Sequence, residues 1–143
     1  MSELERLIEL VLRDLYLDGA EIPYVTLTED SGSPGYTDVL VEDSSGMGCG
    51  FRVDTSASEQ NILCSLADRI PDAYVELFAV GLPVVPGSSR PARPKILNGM
   101  AVWVDPSHPN SWTCPVGEMA PHSGIESSGG QFAARVRRVP LDR

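Results

Sequence analysis

The chain has 143 residues, of which 42% are hydrophobic and 22% charged, and this ordinary globular composition excludes a wholly disordered or fibrous chain. Its apolar runs fall far short of the roughly 18 residues that a membrane helix needs, and acids stand near the N-terminus where a secretory signal would carry cations. The net charge of -9 is uneven, with -12 over residues 1–80 and +3 over residues 81–143, so we expect no nucleic-acid partner and no membrane contact. Three cysteines without an export signal predict reduced thiols and a cytoplasmic location.

The first segment predicts an amphipathic helix over residues 3–18. Ser2 and Glu5 have the spacing of a capping box, which satisfies backbone amides of the first turn, and Gly19 can end the helix in a left-handed cap. Apolar residues recur every three or four positions and so share one helical face: Leu4, Leu7, Ile8, Val11, Leu12 and Leu15.

Short β-rich pieces follow the helix. The pattern predicts strands at Tyr24–Thr28, Thr37–Asp43 and Gly48–Asp54, the last two joined by turn residues Asp43–Gly46 in a hairpin. In the second strand, Val39 and Val41 fall on the face opposite Leu40.

A second amphipathic helix is predicted to begin after Thr55. Ser56 and Glu59 again have capping-box spacing. Pro71 should break or kink this helix because proline lacks the N–H and clashes with the preceding turn. The helix then resumes over Asp72–Val80 and ends at Gly81.

The remaining chain holds nine of the twelve prolines. Lys95–Leu97 and Met100–Val104 flank an Asn98-Gly99 pair that suits a type I′ turn, so they predict a hairpin. Ser111–Cys114 is a candidate third strand.

Two features are predicted beyond that hairpin. Residues 117–130 are rich in Gly and Ser and predict a mobile loop, and Phe132–Val139 alternates like a half-buried edge strand. Together the elements predict one α+β domain over residues 1–143, in which a small, mainly antiparallel sheet is packed by the two amphipathic helices and followed by a Pro-rich C-terminal hairpin region.

The candidate catalytic residues do not form a complete motif. The glycines of Gly46–Gly50 are followed by a strand, whereas a phosphate loop needs a helix, so a hairpin explains them better. Cys49 could act as a nucleophile with His108 or His122 as its base. A buried free cysteine that packs as a small apolar residue is the simpler interpretation.

The candidate metal ligands are also incomplete. His108, Cys114 and His122 lack the closely paired ligands of a structural zinc site. The acids around Glu42 do not follow the calcium-loop pattern. We therefore expect neither a metal nor another cofactor.

Three stretches together resemble a family of small uncharacterised actinobacterial cytosolic proteins: Asp43–Phe51, Leu66–Ile70 and Asn98–Pro106. The resemblance spans roughly residues 38–119 and implies an α+β domain in a bacterial cytosol, without implying any catalytic residue. Relatives of this kind often carry Cys and His in the Pro-rich stretch, and their Trp strand ends in Val-Cys-Pro. This chain has Val85–Ser88 and Asp105 at those places, so a metal role does not carry over.

The absence of a convergent catalytic set, together with the acidic first half, favours a non-catalytic protein-interaction protein. One concrete version is an immunity-like or antitoxin-like inhibitor whose acids cover a basic protein. The predicted contact residues are Glu29, Asp30, Glu42, Asp43 and Asp54. Two alternatives stay open: the small cysteine-dependent enzyme, and a homodimeric accessory protein that pairs through the edge strand Phe132–Val139.

Overall fold

A computed structural model describes residues 2–15, 23–29, 34–78 and 83–119, and the backbone of residues 135–139. Its elements follow in chain order: α1 (Glu3–Asp14), β1 (Tyr24–Glu29), β2 (Tyr36–Glu42), β3 (Gly48–Asp54), α2 (Glu59–Phe78), β4 (Arg93–Leu97), β5 (Met100–Val104), β6 (Thr113–Pro115) and β7 (Arg135–Val139). This α+β architecture confirms the predicted fold class.

Helix α1 begins with the predicted capping box. The Glu5 amide donates to the Ser2 hydroxyl (3.2 Å), and the Ser2 amide donates to the Glu5 carboxylate (3.0 Å). The helix ends at Asp14, earlier than the predicted residue 18, because Leu15 leaves the helical conformation and donates its N–H to the carbonyl of Leu12 (3.0 Å). Gly19, the predicted cap, lies outside the described residues.

A four-stranded sheet has the strand order β3-β2-β1-β7. Strands β1, β2 and β3 are antiparallel, and β7 runs parallel to β1 at the edge of the sheet. Val39 and Val41 are buried and Leu40 is exposed, as the alternation predicts. The helix-facing side of the sheet supplies buried residues from three strands: Val25, Leu27, Val39, Val41 and Val53. Edge strand Phe132–Val139 is thus confirmed in its residues 135–139, and the rest lies outside the described residues.

Helix α2 differs from its prediction at two points. Its N-terminus is capped by Ser58, whose hydroxyl accepts from the Asn61 amide (3.3 Å), whereas Ser56 donates to Asp54 before the helix begins. The predicted break at Pro71 is wrong, since the helix runs without interruption to Phe78. Pro71 is buried, and it removes only one backbone donor from a helix of 20 residues.

The remaining strands form a second sheet, so the single sheet expected from the sequence is divided in two. Its order is β4-β5-β6, and all its pairs are antiparallel. Asn98 (φ 53°) and Gly99 (φ 78°) make the predicted tight turn between β4 and β5. Helix α2 contacts β3 of the first sheet and β4 of the second, and so lies against both.

Both helices and both sheets contribute to one hydrophobic cluster, in which Trp103 and Tyr74 are the largest fully buried side chains. Over the part of the chain that the structure describes, no helix has both the length and the apolar character to cross a membrane. The predicted mobile loop 117–130 falls outside the described residues from position 120 onward.

Candidate interaction surface

The tip of the β4–β5 hairpin exposes three large apolar side chains. Ile96, Leu97 and Met100 flank the tight turn and are 37%, 39% and 47% exposed. The other end of the same hairpin is buried, with Trp103 fully enclosed. The hairpin thus has an anchored base and an apolar tip open to solvent, which we call the apolar tip.

A groove of about 410 Å³ lies on one side of the apolar tip, between α2 and β4. We call it the β4 groove. Its walls are Asn61, Cys64, Ser65 and Asp68 from the helix, and Pro94 and Ile96 from the strand. Burial raises the pKa of the Cys64 thiol, and the nearby Asp68 carboxylate raises it further. Cys64 therefore stays protonated at neutral pH and is a poor nucleophile.

A second groove, of about 260 Å³, lies on the other side, between α1, the start of α2 and β5. We call it the α1 groove. Met100 from the apolar tip lines it, together with Leu10 and Arg13 of α1 and Glu59 of α2. The Gln60 side chain accepts a hydrogen bond from the Ala101 amide (2.8 Å), which fixes β5 against the start of α2.

Each groove is bordered by an arginine shared between two carboxylates. Arg93 contacts Asp68 (3.0 Å) and Asp72 (3.3 Å) beside the β4 groove. Beside the α1 groove, Arg6 contacts Glu3 (2.8 Å) and Glu59 (2.6 Å). Two carboxylates to one guanidinium leave each cluster with one net negative charge, so the apolar tip has an acidic cluster on either flank. Exposed Lys95 on β4 and Arg13 in the α1 groove are cations near these clusters.

Asp14, at the end of α1, is a buried carboxylate that hydrogen-bonds Gly117, one of the residues that line the α1 groove. It accepts hydrogen bonds from the Trp103 indole (2.7 Å) and from the backbone amides of Gly117 and Met119. Burial raises the pKa of Asp14, and the Trp103 hydrogen bond is the largest of the effects that oppose the rise. One side chain thus holds together the end of α1, strand β5 and the segment that follows β6.

The acids predicted to bind a partner do not form one cluster. Glu42 and Asp43 lie at one end of the β2–β3 hairpin, and Glu29 and Asp54 lie at the other end, since Glu29 pairs with Thr37 next to the end of β3. Six residues of strand separate the two ends by about 20 Å. Asp30 lies outside the described residues.

Two of these acids already accept local hydrogen bonds. Asp43 accepts from the backbone and hydroxyl of Ser45 and from the Met47 amide, and these bonds, the Ser45 hydroxyl first, lower the pKa of Asp43. Asp54 accepts from the hydroxyl and amide of Ser56, which lowers the pKa of Asp54. Both carboxylates therefore shape turns, and their role in binding stays a prediction.

The structure places Cys49 and His108 in different parts of the fold. Cys49 is half-buried on the helix-facing side of β3, and His108 is largely exposed in the loop after β5. The His108 imidazole lies 3.7 Å from Asp105, which Arg90 holds at 2.6 Å. The hydrogen bond from Arg90 lowers the pKa of Asp105 to about 2. His122 lies outside the described residues, so the enzyme alternative stays a prediction.

The candidate metal ligands do not form a complete set among the residues that the structure describes. Across residues 2–15, 23–29, 34–78 and 83–119, no three His, Cys, Asp or Glu side chains lie close enough to hold a metal ion. Cys114 is a half-buried thiol whose pKa burial raises. Since His122 is outside these ranges, independence from metal stays a prediction.

Sequence reasoning missed the residues that shape this surface. The sequence predicts two ordinary strands at the apolar tip. The one signal for exposed side chains is that Ile96, Leu97 and Met100 lie next to an Asn-Gly turn, because a turn projects from the sheet. Asp14 gave no signal, since its partners lie 89 to 105 positions away.

Comparison of the chain with protein-family models, curated proteins and solved structures gave no match. The resemblance to small actinobacterial proteins therefore stays a proposal, and function has to be argued from the surface itself.

Proposed function

We propose that this protein is a non-catalytic interaction protein that binds a basic protein partner through the apolar tip and its acidic flanks. The observation that carries the proposal is the exposure of Ile96, Leu97 and Met100 together, on a hairpin whose second strand is buried from Ala101 to Val104. Large apolar side chains grouped at the surface of a folded domain are typical of interaction sites.

The two grooves extend this apolar centre into a larger contact area. Ile96 lines the β4 groove and Met100 lines the α1 groove, so a partner that covers the tip can insert side chains on both sides. Interfaces of this design place apolar anchors at the centre and charges at the rim.

Charge supports a basic partner. The clusters around Arg6 and Arg93 each carry one net negative charge, which Arg13 and Lys95 partly offset, and the whole chain carries -9. Opposite charge raises association rates by steering the encounter, and salt screens it over about 8 Å at physiological ionic strength. An immunity-like or antitoxin-like inhibitor in a bacterial cytoplasm is the concrete version of this proposal.

The experiment is a pull-down from cytosol with the full chain, followed by association kinetics of the identified partner at low and high salt. We expect a basic partner whose capture is lost with Ile96→Ser plus Met100→Ser and whose on-rate falls at high salt. Met47→Ser is the matched control, because Met47 is also exposed (64%) but lies on the β2–β3 turn.

Three results would overturn the proposal: an acidic partner, an on-rate that ignores salt, or capture that survives the double substitution. Loss of capture with Glu42→Gln alone would instead show that the partner binds at the β2–β3 turn of the first sheet.

A further inference from the structure

Among the residues that the structure describes, strand β3 is an unpaired edge of the four-stranded sheet. It pairs with β2 on one side, and β2 and β1 separate it from β7 at the opposite edge. Proteins usually protect such an edge with lysine, proline or a bulge. Strand β3 contains no lysine and no proline, and its register with β2 is continuous from Asp54 to Gly48.

The hydrogen-bond pattern shows which backbone groups face outward. The Thr55 amide donates to the Gly35 carbonyl (2.7 Å), and the Asp43 amide donates to the Met47 carbonyl (2.9 Å), at the two ends of the β2–β3 ladder. Bonded pairs alternate along an antiparallel ladder, so the β3 residues bonded to β2 are the odd-numbered ones. The even-numbered residues point their N–H and C=O groups away from β2: Gly48, Gly50, Arg52 and Asp54.

Gly48 and Gly50 leave the middle of this edge open. Both are exposed, and neither has a backbone partner on the outward side among the described residues. Neither glycine has a side chain of its own, and the Leu40 side chain lies over both on the exposed face of the sheet. Cys49, between the two glycines, and Phe51, after the second, face the helices. Both side chains are apolar but only half-buried.

We propose that a second copy of this chain pairs with β3 in antiparallel orientation, with Gly50 opposite Gly50 on the two-fold axis. This register puts two outward-facing residues opposite each other at every bonded position. It also places Cys49 opposite Phe51 of the second copy, in a non-bonded pair whose Cα atoms approach to about 4.5 Å. Both half-buried residues would then be covered, with a sulfur next to an aromatic ring.

The same register is complementary in charge. Arg52 of one copy comes opposite Gly48 on β3 of the second copy. In that second copy, Gly48 is paired with Glu42 on the neighbouring strand β2. Two strand spacings put the Cα atoms of Arg52 and this Glu42 about 10 Å apart, which is within reach of two long side chains.

The Glu42 side chain already suits this contact. The Cγ atom of Glu42 lies 3.2 Å from the point where a Cβ of Gly48 would stand, so Glu42 leans toward the edge. Arg52 contacts Asp38 (2.9 Å) and the Tyr36 ring (5.8 Å), both on β2, so its guanidinium has to turn outward to reach the second copy's Glu42. Shifting the axis to Arg52 would instead bring two arginines opposite each other, which like charge disfavours.

Light scattering on the full chain over a concentration series tests the proposal. We expect the wild type to approach twice the chain mass as concentration rises. Gly50→Lys should remain monomeric at every concentration, because two lysines would then stand opposite each other on the axis. It should melt like the wild type at concentrations too low for dimers, because a Cβ at Gly50 meets only ordinary contacts, to the Val39 carbonyl (3.5 Å) and to Leu40 (3.6 Å). Thr113→Lys, on exposed β6 at the edge of the other sheet, is the control and should dimerise like the wild type.

A disulfide tests the register. In a Cys64→Ser, Cys114→Ser background, Phe51→Cys should form a disulfide-linked dimer with the native Cys49 of the second copy, and adding Cys49→Ser should abolish it. A wild type that stays monomeric, a dimer that persists in Gly50→Lys, or a crosslink that survives Cys49→Ser would overturn the proposal. Since the apolar tip lies on the other sheet, partner capture and dimerisation can fail independently.

Discussion

The β2–β3 hairpin and the β4–β5 hairpin share a connectivity but differ in where they contact the rest of the protein. In the first, buried and exposed residues alternate along β2, and the Asp43 carboxylate caps the turn. In the second, β5 is buried from Ala101 to Val104, while the tip is apolar and exposed. The carboxylates that dominate the composition are partly engaged inside turns and ion pairs, whereas the exposed apolar side chains are not covered. Binding capacity therefore need not follow the charge pattern of a sequence.

The largest effect that would sharpen this comparison is expected at the base of the β4–β5 hairpin. Trp103→Phe removes the indole donor from the buried Asp14 carboxylate and leaves a small void, which should cost about 2–4 kcal/mol of unfolding free energy. Urea unfolding measures it. Trp112→Phe, at a half-buried position beside the core, is the control and should cost clearly less. Equal losses would mean that the Asp14 contact contributes little.

The two turns allow a matched test. Gly46 (φ 94°) and Gly99 (φ 78°) both have left-handed backbones with open space where a Cβ would stand. Alanine at either position should therefore cost about 1–2 kcal/mol, because strain of the backbone is the only penalty. Unfolding by urea of both variants checks this. A much larger loss for one glycine would show that its turn makes contacts that the other lacks.

Stability near the anchored base should depend on pH through Asp14. Because burial raises its pKa, the native state binds a proton more tightly than the unfolded chain, so stability falls as pH rises from the ordinary pKa of an aspartate to the raised one. The slope cannot exceed about 1.4 kcal/mol per pH unit for one proton.

Asp14→Asn should flatten that slope between pH 4.5 and 7.5 in urea unfolding. Arg13, Cys114 and Glu118 are the charged or titratable groups nearby, and Glu118→Gln is the control that should keep the slope. Asp105, whose pKa Arg90 lowers to about 2, has the opposite sign, but its contribution is lost only as pH falls from about 4 towards 2. A wild-type profile as flat as that of Asp14→Asn would contradict the prediction.

The smallest effect on stability is expected at the apolar tip. Ile96→Ser should lower the unfolding free energy by about 1 kcal/mol, because Ile96 is 37% exposed and only its remaining surface contacts the protein beside the β4 groove. Thermal melting checks this, with Val102→Ser in the buried part of β5 as the contrasting variant. A large loss at Ile96 would mean that the tip belongs to the core.

Local signals in the sequence predicted most elements and little of their assembly. The Ser2–Glu5 box, the β2–β3 alternation and the Asn98-Gly99 turn act over a few residues, and each was found correctly. Ser56 and Ser58 both precede α2 and both carry a hydroxyl. Ser58 caps the helix, because the Ser56 hydroxyl is bonded to Asp54.

The tertiary features could not be read in this way. The division into two sheets depends on α2 lying against both, and no periodicity encodes that position. The exposure of Ile96 and Met100 depends on how far the hairpin projects beyond α2. The sequence pattern therefore did not predict the candidate surface, although it correctly placed the strands that carry its residues.

The long-range hydrogen bonds of Asp14 have a consequence for the order of folding. The donors belong to Trp103, Gly117 and Met119, which follow Asp14 in the chain by 89 to 105 residues and are therefore synthesised later. Closing so long a loop costs entropy before any contact repays it, and contacts of this kind slow folding. Helix α1 can form early from its own capping box, yet its last turn keeps a solvated carboxylate until the second sheet is made. Docking of α1 is then expected to be a late step, with Asp14 joining the first helix to the second sheet and the segment after β6.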